Sequence, residues 1–387
     1  MKTEPSSFCD KNLRFLGFSP WLILVLFTIA AQAEWQSAEP GWNYEFPRDH
    51  GNHPSFKTEW WYFTGNLTGS DGRKFGYQLT FFRQGMTPAP LAATSRFVTR
   101  DIKMAHFALS DLTTDKFQFF QKLSRGAYGE AGFSDGDRLA WIDDWSCELV
   151  SRSDSEAANA APIFHIRGDA DDLALDLRLT AVKPPVIHGT NGVSVKAAGE
   201  GRASHYYSFT RLESEGTLRQ GTEEISVSGL SWFDHEWATN QLAENQLGWD
   251  WFSIQFDDGC ELMLFQLRTR EGGRDAFSSG TFVDAAGRSQ PISSADFTLK
   301  PVRFWQNPVR SARYPLEWRI GIPKLALDLR VHAAMDNQEL RLKPIAYWEG
   351  AVLADGTRQG KPLQGSGYLE MTGYAGPISG MTSGPVK

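Results

Sequence analysis

The chain has 387 residues, of which 22% are charged and 41% hydrophobic, and its formal net charge is -7. This length is sufficient for two or three domains that each bury a core. A negative net charge without any run of Lys and Arg argues against binding to nucleic acid or to an anionic membrane surface. The 14 Trp and 26 Phe exceed ordinary usage. We therefore expect an apolar small molecule as the partner.

The N-terminus has the pattern of a secretory signal. Three basic residues precede an apolar run at residues 21–30, and an Ala-Gln-Ala tripeptide ends at Ala33. This pattern predicts a signal peptide over residues 1–33, and the run is too short to span a membrane. We expect a secreted or periplasmic protein with no stable membrane insertion after signal cleavage. In an oxidising compartment Cys147 and Cys260 could pair, although a large domain does not require that disulfide.

The mature chain is predicted to be all-β. Residues 34–55 are rich in Pro, Gly and Asn and indicate an extended N-terminal arm. Aromatic segments and tight turns then follow one another. In residues 173–180 four Leu alternate with Ala, Asp, Arg and Thr, a period of two that is typical of a strand with one buried face.

Several features occur twice in the same order. Leu-Ala-Leu-Asp-Leu-Arg stands at residues 173–178 and again at 325–330, and aromatic strands at Trp61 and Trp251 each lead to an Asp-Gly turn. A weaker match relates the Ser-Gly pair at Gly229 to a second one in residues 366–371. Repeats in a conserved order indicate two copies of one all-β unit.

Each copy has the length that eight up-and-down strands need. The chain is therefore predicted to form two tandem antiparallel β-barrels, over residues 56–240 and 241–378, with a flexible tail at 379–387. Two β-sandwiches joined by a duplicated hairpin are the alternative.

A charged cluster stands among aromatic residues at 231–237, which read Ser-Trp-Phe-Asp-His-Glu-Trp. If Asp234 is a general acid, burial would raise its pKa in the required direction. In a regular strand Asp234 and Glu236 share one face, and His235 points to the other. The alternative is structural, because buried carboxylates are usually paired. Candidate partners are Arg83 and Arg268.

His50, His53 and nearby carboxylates in the arm are weakly compatible with a metal, but no His-Glu-x-x-His or Cys-x-x-Cys motif is present. We therefore predict neither a metal nor an organic cofactor, and expect His53 or Glu59 to contribute a polar contact at a barrel mouth. Ser231 lacks the glycine pattern and the strand-to-helix turn of a nucleophile elbow.

The Trp-rich segments at residues 59–65, 231–237 and 248–252 resemble the AttH/CrtC-like family. That family contains secreted AttH-type proteins, often labelled predicted hydrolases, and carotenoid 1,2-hydratases. The resemblance extends over residues 45–376 and implies two tandem lipocalin-like β-barrels, in agreement with the internal repeat. In hydratase-type members the chemistry is thought to rest on an aspartic acid that protonates an alkene. Asp234 is the residue that matches by motif.

The leading hypothesis is an exported, cofactor-independent hydratase that binds an isoprenoid or lipid-like molecule in the barrel interior and the interdomain cleft. Asp234 is the expected acid, with His235 and Glu236 as supporting groups. The chief alternative is a non-catalytic carrier of hydrophobic ligands, and a secreted hydrolase ranks third. The matching strand at 366–371 has no Asp-His-Glu, which favours a special role for Asp234. The residues expected to bind the ligand are His53, Glu59, Trp60, Trp61, Trp232, Trp237, Trp249 and Trp251.

Overall fold

The computed structural model describes residues 34–88, 99–150, 161–309, 312–342 and 346–376. The signal peptide predicted over residues 1–33 and the tail predicted over residues 379–387 lie outside these ranges. Across the described ranges, no helix combines the length and the apolar composition that a membrane crossing needs.

Regular structure in the described residues is almost entirely β, in two antiparallel sheets. The strands of the first sheet are β1 (Thr58–Gly69), β2 (Lys74–Gly85), β3 (Asp101–Asp111), β4 (Lys116–Ser124), β5 (Ala131–Phe133), β6 (Arg138–Ile142), β7 (Trp145–Leu149), β8 (Ile163–Ala170), β9 (Leu173–Ala181), β10 (Val186–Ile187), β11 (Ser194–Val195), β12 (Ala203–Gln220) and β13 (Glu223–Ala238). The strands of the second sheet are β14 (Gln246–Phe256), β15 (Glu261–Thr269), β16 (Ser279–Val283), β17 (Ser289–Ser293), β18 (Thr298–Gln306), β19 (Arg313–Ile322), β20 (Leu327–Ala333), β21 (Glu339–Arg341), β22 (Ala346–Arg358) and β23 (Lys361–Met371). Short 3-10 helices lie at Arg48–His50, Ala127–Gly129, Ser294–Asp296 and Pro323–Leu325.

Both sheets follow the same up-and-down plan. The first runs in the order β4-β3-β2-β1-β13-β12-β9-β8-β7-β6-β5, and the second in the order β17-β16-β15-β14-β23-β22-β20-β19-β18. In each, the first strand pairs with the last, and we call β1–β13 and β14–β23 the closing pairs. The first sheet forms a nearly closed barrel and the second a half-barrel, which confirms the predicted fold of two tandem all-β units. The boundary expected at residue 240 falls between β13 and β14.

Strand register shows which repeated residues are equivalent. Gly229 stands opposite Leu67 in the first closing pair, and Gly367 stands opposite Ile254 in the second. Leu67 and Ile254 each precede the Asp of an Asp-Gly turn by four residues. The two turns and the two glycines are therefore equivalent positions of a duplicated unit.

Trp61 and Trp251 are not equivalent, which corrects one of the matches drawn from the sequence. Trp61 stands ten residues before the Asp of its turn, whereas Trp251 stands seven residues before its own. An odd difference in spacing places two side chains on opposite faces of a strand. Trp61 accordingly lies in the core of the first unit, and Trp251 lies in an aromatic cluster between the units.

Side chains fill the interior of both units. The first core contains the stacked rings of Phe63 and Phe233, with centroids 4.4 Å apart, and the second contains Trp318 packed on Phe252. The sequence led us to expect an apolar ligand in the barrel interior. Side chains packed in this way make that interior unsuited to it. Cys147 lies in the first core and Cys260 in the second, and both thiols are free.

Gly229 and Gly367 let the two strands of each closing pair approach one another closely. An ideal Cβ at Gly229 would collide with the Asn66 carbonyl oxygen, and one at Gly367 with the Ser253 carbonyl oxygen. We expect Gly229→Ala and Gly367→Ala each to lower the free energy of unfolding by about 1–3 kcal/mol, the usual cost of overpacking, as measured by urea denaturation.

Gly136 supplies the control, because its nearest neighbour would be Ser134 Oγ at 3.6 Å. Gly136→Ala should change the free energy of unfolding by less than about 0.5 kcal/mol. Equal losses at all three glycines would show that close strand approach is not what these positions require.

Candidate functional site

The first closing pair distributes the 231–237 segment between two separate sites. Its register places Trp61 opposite His235 and Tyr62 opposite Asp234. Side chains of successive strand residues point to opposite faces. His235 therefore faces the barrel interior, and Asp234 faces the second unit.

On the inner face, the carboxylate of Glu59 is the centre of a polar cluster that we call the inner cluster: Asp49, His53, Glu59, Arg83 and His235. Glu59 Oε1 is 2.6 Å from His53 Nδ1 and 3.1 Å from His235 Nε2, and Arg83 Nε donates to Glu59 Oε2 at 3.1 Å. The backbone N–H of His53 reaches both carboxylate oxygens, at 3.0 and 2.9 Å. Both oxygens of this buried carboxylate are therefore matched by donors.

The protonation of the inner cluster follows from its contacts. Burial acts to raise the pKa of Glu59, but His53, His235 and Arg83 outweigh it and hold that pKa well below its usual range. Burial acts to lower the pKa of His53, but the carboxylates of Glu59 and Asp49 outweigh it and raise that pKa. Glu59 and His53 thus form a buried ion pair.

The inner cluster fastens the N-terminal arm to the barrel mouth. The His53 ring stacks on the indole of Trp237 with centroids 3.7 Å apart, and Trp61 Nε1 donates to the His50 carbonyl at 2.9 Å. The ligand atoms of His53, Glu59 and His235 lie within 4.8 Å of one another, a spacing that a metal ion could use. Arg83 pairs with the same Glu59 carboxylate, and its guanidinium would repel a metal cation bound there. We therefore assign this cluster to anchoring the arm.

On the outer face, a cavity lies between the two units, against both closing pairs. Its water-accessible volume is about 80 Å³. Its aromatic wall includes Trp60, Tyr62, Phe82, Tyr206, Trp249 and Trp251. Its charged lining residues are Asp234, Glu236, Glu349, Glu370 and Lys196. Apolar walls with a few converging polar groups are typical of small-molecule sites.

Asp234 is held by neutral donors. Its Oδ1 accepts hydrogen bonds from Trp232 Nε1 at 2.6 Å and from the Ser208 hydroxyl, and its Oδ2 accepts from the Tyr206 hydroxyl at 3.0 Å. Tyr206 in turn accepts from Trp251 Nε1 at 3.2 Å. Burial raises the pKa of Asp234 to about 7, although its three donors oppose the rise. This carboxyl can therefore hold a proton near neutral pH.

A hydrogen-bonded chain connects Asp234 to the second unit through His188. His188 Nε2 is 2.7 Å from the Ser208 hydroxyl, and His188 Nδ1 is 2.8 Å from the hydroxyl of Thr281. Because Ser208 donates to Asp234, His188 Nε2 is assigned as a donor to Ser208, and Nδ1 accepts from Thr281. Burial and the nearby Lys196 lower the pKa of His188 to about 3, so the ring is neutral.

The other charged lining residues differ in their partners. Lys196 Nζ lies 3.4 Å from Glu236 Oε1 and 4.1 Å from the centroid of the Phe265 ring. Glu370 accepts from Trp249 Nε1 at 3.0 Å, and burial together with the charges of Asp234 and Glu236 raises its pKa.

The structure separates the residues predicted from the sequence into two groups. Those that line the cavity are Trp60, Asp234, Glu236, Trp249 and Trp251. Those on the inner face or under the arm are His53, Glu59, Trp61, His235 and Trp237. Trp232 lies beside the cavity as a donor to Asp234. His235 makes its contacts inside the barrel, which corrects the expectation that it supports Asp234 directly.

Neither structural partner suggested for the cavity acids pairs with them. Arg83 pairs with Glu59, and Arg268 Nε lies 3.3 Å from Asp250. Ser231 is a buried hydroxyl 2.7 Å from the hydroxyl of Tyr77, which fits a structural role.

Sequence reasoning missed two acids on the second unit. Glu349 and Glu370 stand between aromatic or apolar residues in buried strands, which was the one available signal. Glu370 follows Gly367 by three residues, as Trp232 follows Gly229. The strand at 366–371 therefore also contributes a carboxyl group to the cavity. It lacks the Asp-His-Glu of the matching strand in the first unit, but the two strands differ less than that absence suggested.

The fold and this cavity define a lipocalin-like, all-β protein with an acid-bearing aromatic site between two units. The chain belongs to the AttH-like family, whose model matches residues 37–374. It is similar to the crystal structure of a candidate AttH protein from Nitrosomonas europaea, with 34% identity and a TM-score of 0.77, over 88% of this chain and 99% of that one. Kievitone hydratase from Nectria haematococca shares the fold at 15% identity and a TM-score of 0.66, over 89% of this chain and 98% of that one. No curated protein matches the sequence.

The ion pair of the inner cluster can be tested by Glu59→Gln. This change leaves the Arg83 guanidinium and the His53 imidazolium buried without their anion, so the free energy of unfolding at neutral pH should fall by about 3–5 kcal/mol in urea denaturation. Glu45 provides the matched control, because it pairs with Arg48 on the surface. Glu45→Gln should cost at most about 1 kcal/mol. A loss of the same size in both variants would refute the anchoring role of Glu59.

The pKa of Asp234 predicts a pH-dependent difference in stability. Between the unfolded pKa of about 3.9 and the folded pKa of about 7, the folded state retains a proton that the unfolded state has lost. In the wild type, the contribution of Asp234 to the free energy of unfolding is therefore fully present below its unfolded pKa. This contribution is lost as the pH rises through its folded pKa. Asp234→Asn cannot titrate. The free energy of unfolding of Asp234→Asn, taken relative to that of wild type, should therefore rise by about 2–3 kcal/mol between about pH 5 and about pH 8.

Urea denaturation at both pH values measures this difference. Asp328→Asn is the control, because Asp328 is exposed on β20. It should show little change relative to wild type between the two pH values. If Asp234→Asn behaves like this control, the carboxyl of Asp234 does not hold a proton at neutral pH in the folded protein.

Proposed function

We propose that this protein is a cofactor-independent hydratase that adds water to a carbon-carbon double bond of an apolar, isoprenoid-like molecule. The observation that supports this most directly is the setting of Asp234. Its carboxyl is buried in an aromatic cavity and is held by two hydroxyls and an indole, without a cationic partner. A carboxylic acid kept protonated in this way is suited to donate a proton.

The reaction needs one acid, one base and one water molecule. Asp234 donates its proton to one alkene carbon, and a carbocation forms at the other. The indole rings of Trp60, Trp249 and Trp251 lie in the cavity wall and would stabilise that cation through their π-faces. Water then attacks the cation and loses a proton to a carboxylate.

Glu236 is the candidate base, because its ion pair with Lys196 requires it to be a carboxylate. Trp60 and Glu236 are directly opposed in the first closing pair, and Asp234 and Glu236 share one face of β13. After the reaction Asp234 is a carboxylate and Glu236 is protonated, and proton exchange with solvent returns both groups to their starting states. Alkene and water are thus converted to an alcohol with no change in oxidation of the protein.

The hydratase among the similar structures supports the proposal only through its fold. A non-catalytic carrier of hydrophobic ligands is the second candidate, and it is favoured by the complete hydrogen bonding of Asp234 in the absence of a substrate. The two candidates differ in whether the Asp234 proton is transferred.

Asp234→Asn separates the two candidates. The protein is incubated with a panel of apolar alkenes in water labelled with oxygen-18. Mass spectrometry then shows whether a product contains one added molecule of labelled water. Wild type should form a labelled alcohol from at least one alkene, and Asp234→Asn should lose more than about a hundredfold in rate while still binding that alkene.

Asp328→Asn again serves as the control and should keep the wild-type rate. Undiminished hydration by Asp234→Asn would remove Asp234 from the mechanism. Equal binding by both proteins with no labelled product from any alkene would establish the carrier instead.

A further inference from the structure

The wall that the second unit contributes to the cavity holds two carboxyl groups side by side. Glu349 on β22 stands directly opposite Glu370 on β23, and both line the cavity. Directly opposed residues of antiparallel strands have Cβ atoms about 4.5–5.5 Å apart. Two carboxylates at that separation in a buried site repel each other, so the pair keeps a proton.

Among the described residues, Glu349 and Tyr62 have buried polar atoms without hydrogen-bond partners, whereas Glu370 accepts a hydrogen bond from Trp249. Both carboxyl oxygens of Glu349 and the hydroxyl of Tyr62 are buried, and they form no hydrogen bond within the described part of the chain. Glu349 is 2% exposed and Tyr62 is 6% exposed. Burial and the charge of Glu349 raise the pKa of Tyr62 well above its usual value, which shows that the Tyr62 hydroxyl lies close to the Glu349 carboxyl.

Unpaired buried polar groups destabilise a fold and are rare in native proteins. These groups are found in the wall of a cavity, where a bound molecule can reach them. We infer that Glu349, Glu370 and Tyr62 form a subsite for an uncharged hydroxyl group on an apolar ligand. This inference deepens the proposed function, because it concerns the polar group of the molecule that the same cavity holds.

A hydroxyl fits this subsite better than other polar groups. It both donates and accepts a hydrogen bond, and a carboxyl pair that shares one proton offers one group of each kind. Burial and the charge of Glu370 raise the pKa of Glu349 well above its usual value, and burial also raises the pKa of Glu370. The two carboxyl groups can therefore hold one proton between them.

The charge of the cavity excludes anionic ligands. Among the described residues its lining has four carboxyl groups and one basic side chain, Lys196, which is already paired with Glu236. A fatty acid or a prenyl phosphate would therefore bury a negative charge beside acidic groups, with no unpaired cation among the described lining residues to offset it. The subsite thus selects against the commonest anionic lipids and in favour of neutral alcohols.

The test compares ligands that share one isoprenoid chain and differ in the polar group: farnesol, farnesene, farnesoic acid and farnesyl amine. Dissociation constants are measured at neutral pH by isothermal titration calorimetry. Farnesol should bind about tenfold more tightly than farnesene, because one well-placed hydrogen bond accounts for that ratio. Farnesoic acid should bind more weakly than either.

Two variants assign the preference to named groups. Glu349→Leu should remove the advantage of farnesol and leave farnesene binding unchanged, and Tyr62→Phe should reduce that advantage while retaining the ring. Tyr77→Phe is the control, because Tyr77 lies in the core of the first unit, and it should keep the preference.

The inference would be overturned by equal binding of farnesol and farnesene to wild type, by an unchanged preference in Glu349→Leu and Tyr62→Phe, or by tightest binding of the amine. Absence of binding by all four ligands would overturn it as well. None of these results depends on turnover, whereas the proposed function is judged by labelled water in a wider panel of alkenes. The failure of one can therefore be told from the failure of the other.

Discussion

The pairing of β1 with β13 is the constraint on which both polar sites depend. A strand presents successive side chains to opposite faces, so the register that sets Trp61 against His235 also sets Tyr62 against Asp234. A slip of one residue would move Asp234 into the barrel core and His235 into the cavity. The arm anchor and the candidate active site are thus fixed by one set of backbone hydrogen bonds, although they share no side chain.

The two faces of this strand pair show how the surroundings decide the chemistry of a buried carboxyl. Glu59 has an arginine and two histidines as neighbours, and its pKa is held well below the usual range. Asp234 has only hydroxyl and indole donors, and burial raises its pKa to about 7. The neutral donors around Asp234 offset only part of the effect of burial on its pKa, whereas the charged neighbours of Glu59 outweigh that effect.

The sequence predicted the all-β duplication, because this follows from local periodicity and repetition. Strand alternation also put His235 on the face opposite Asp234, but His235 was still assigned as a supporting group of the acid, and that assignment was wrong. Glu59 was assigned to ligand binding, whereas it lies in the inner cluster and not in the cavity lining. The sequence did not identify Glu349 or Glu370 as cavity residues, because they meet Asp234 only when two distant units pack together. It also did not identify Lys196, which reaches Glu236 from a loop region of the same unit. The match between Trp61 and Trp251 was wrong because similar letters were aligned without the turn that fixes strand register.

The cavity acids are not explained by stability alone, as another interdomain carboxylate makes clear. Glu261 is also buried between the units, and it recruits Lys183 at 2.7 Å and Arg211 at 2.6 Å. Where a buried carboxylate of this fold has a structural role, Lys and Arg side chains therefore pair with it. Asp234 has no such partner, and Glu349 lacks even a hydrogen bond among the described residues. Carboxyl groups left in this condition lower stability, and proteins retain such groups chiefly where function requires them. The contrast with Glu261 is thus the strongest physical reason to regard the cavity as a chemical site.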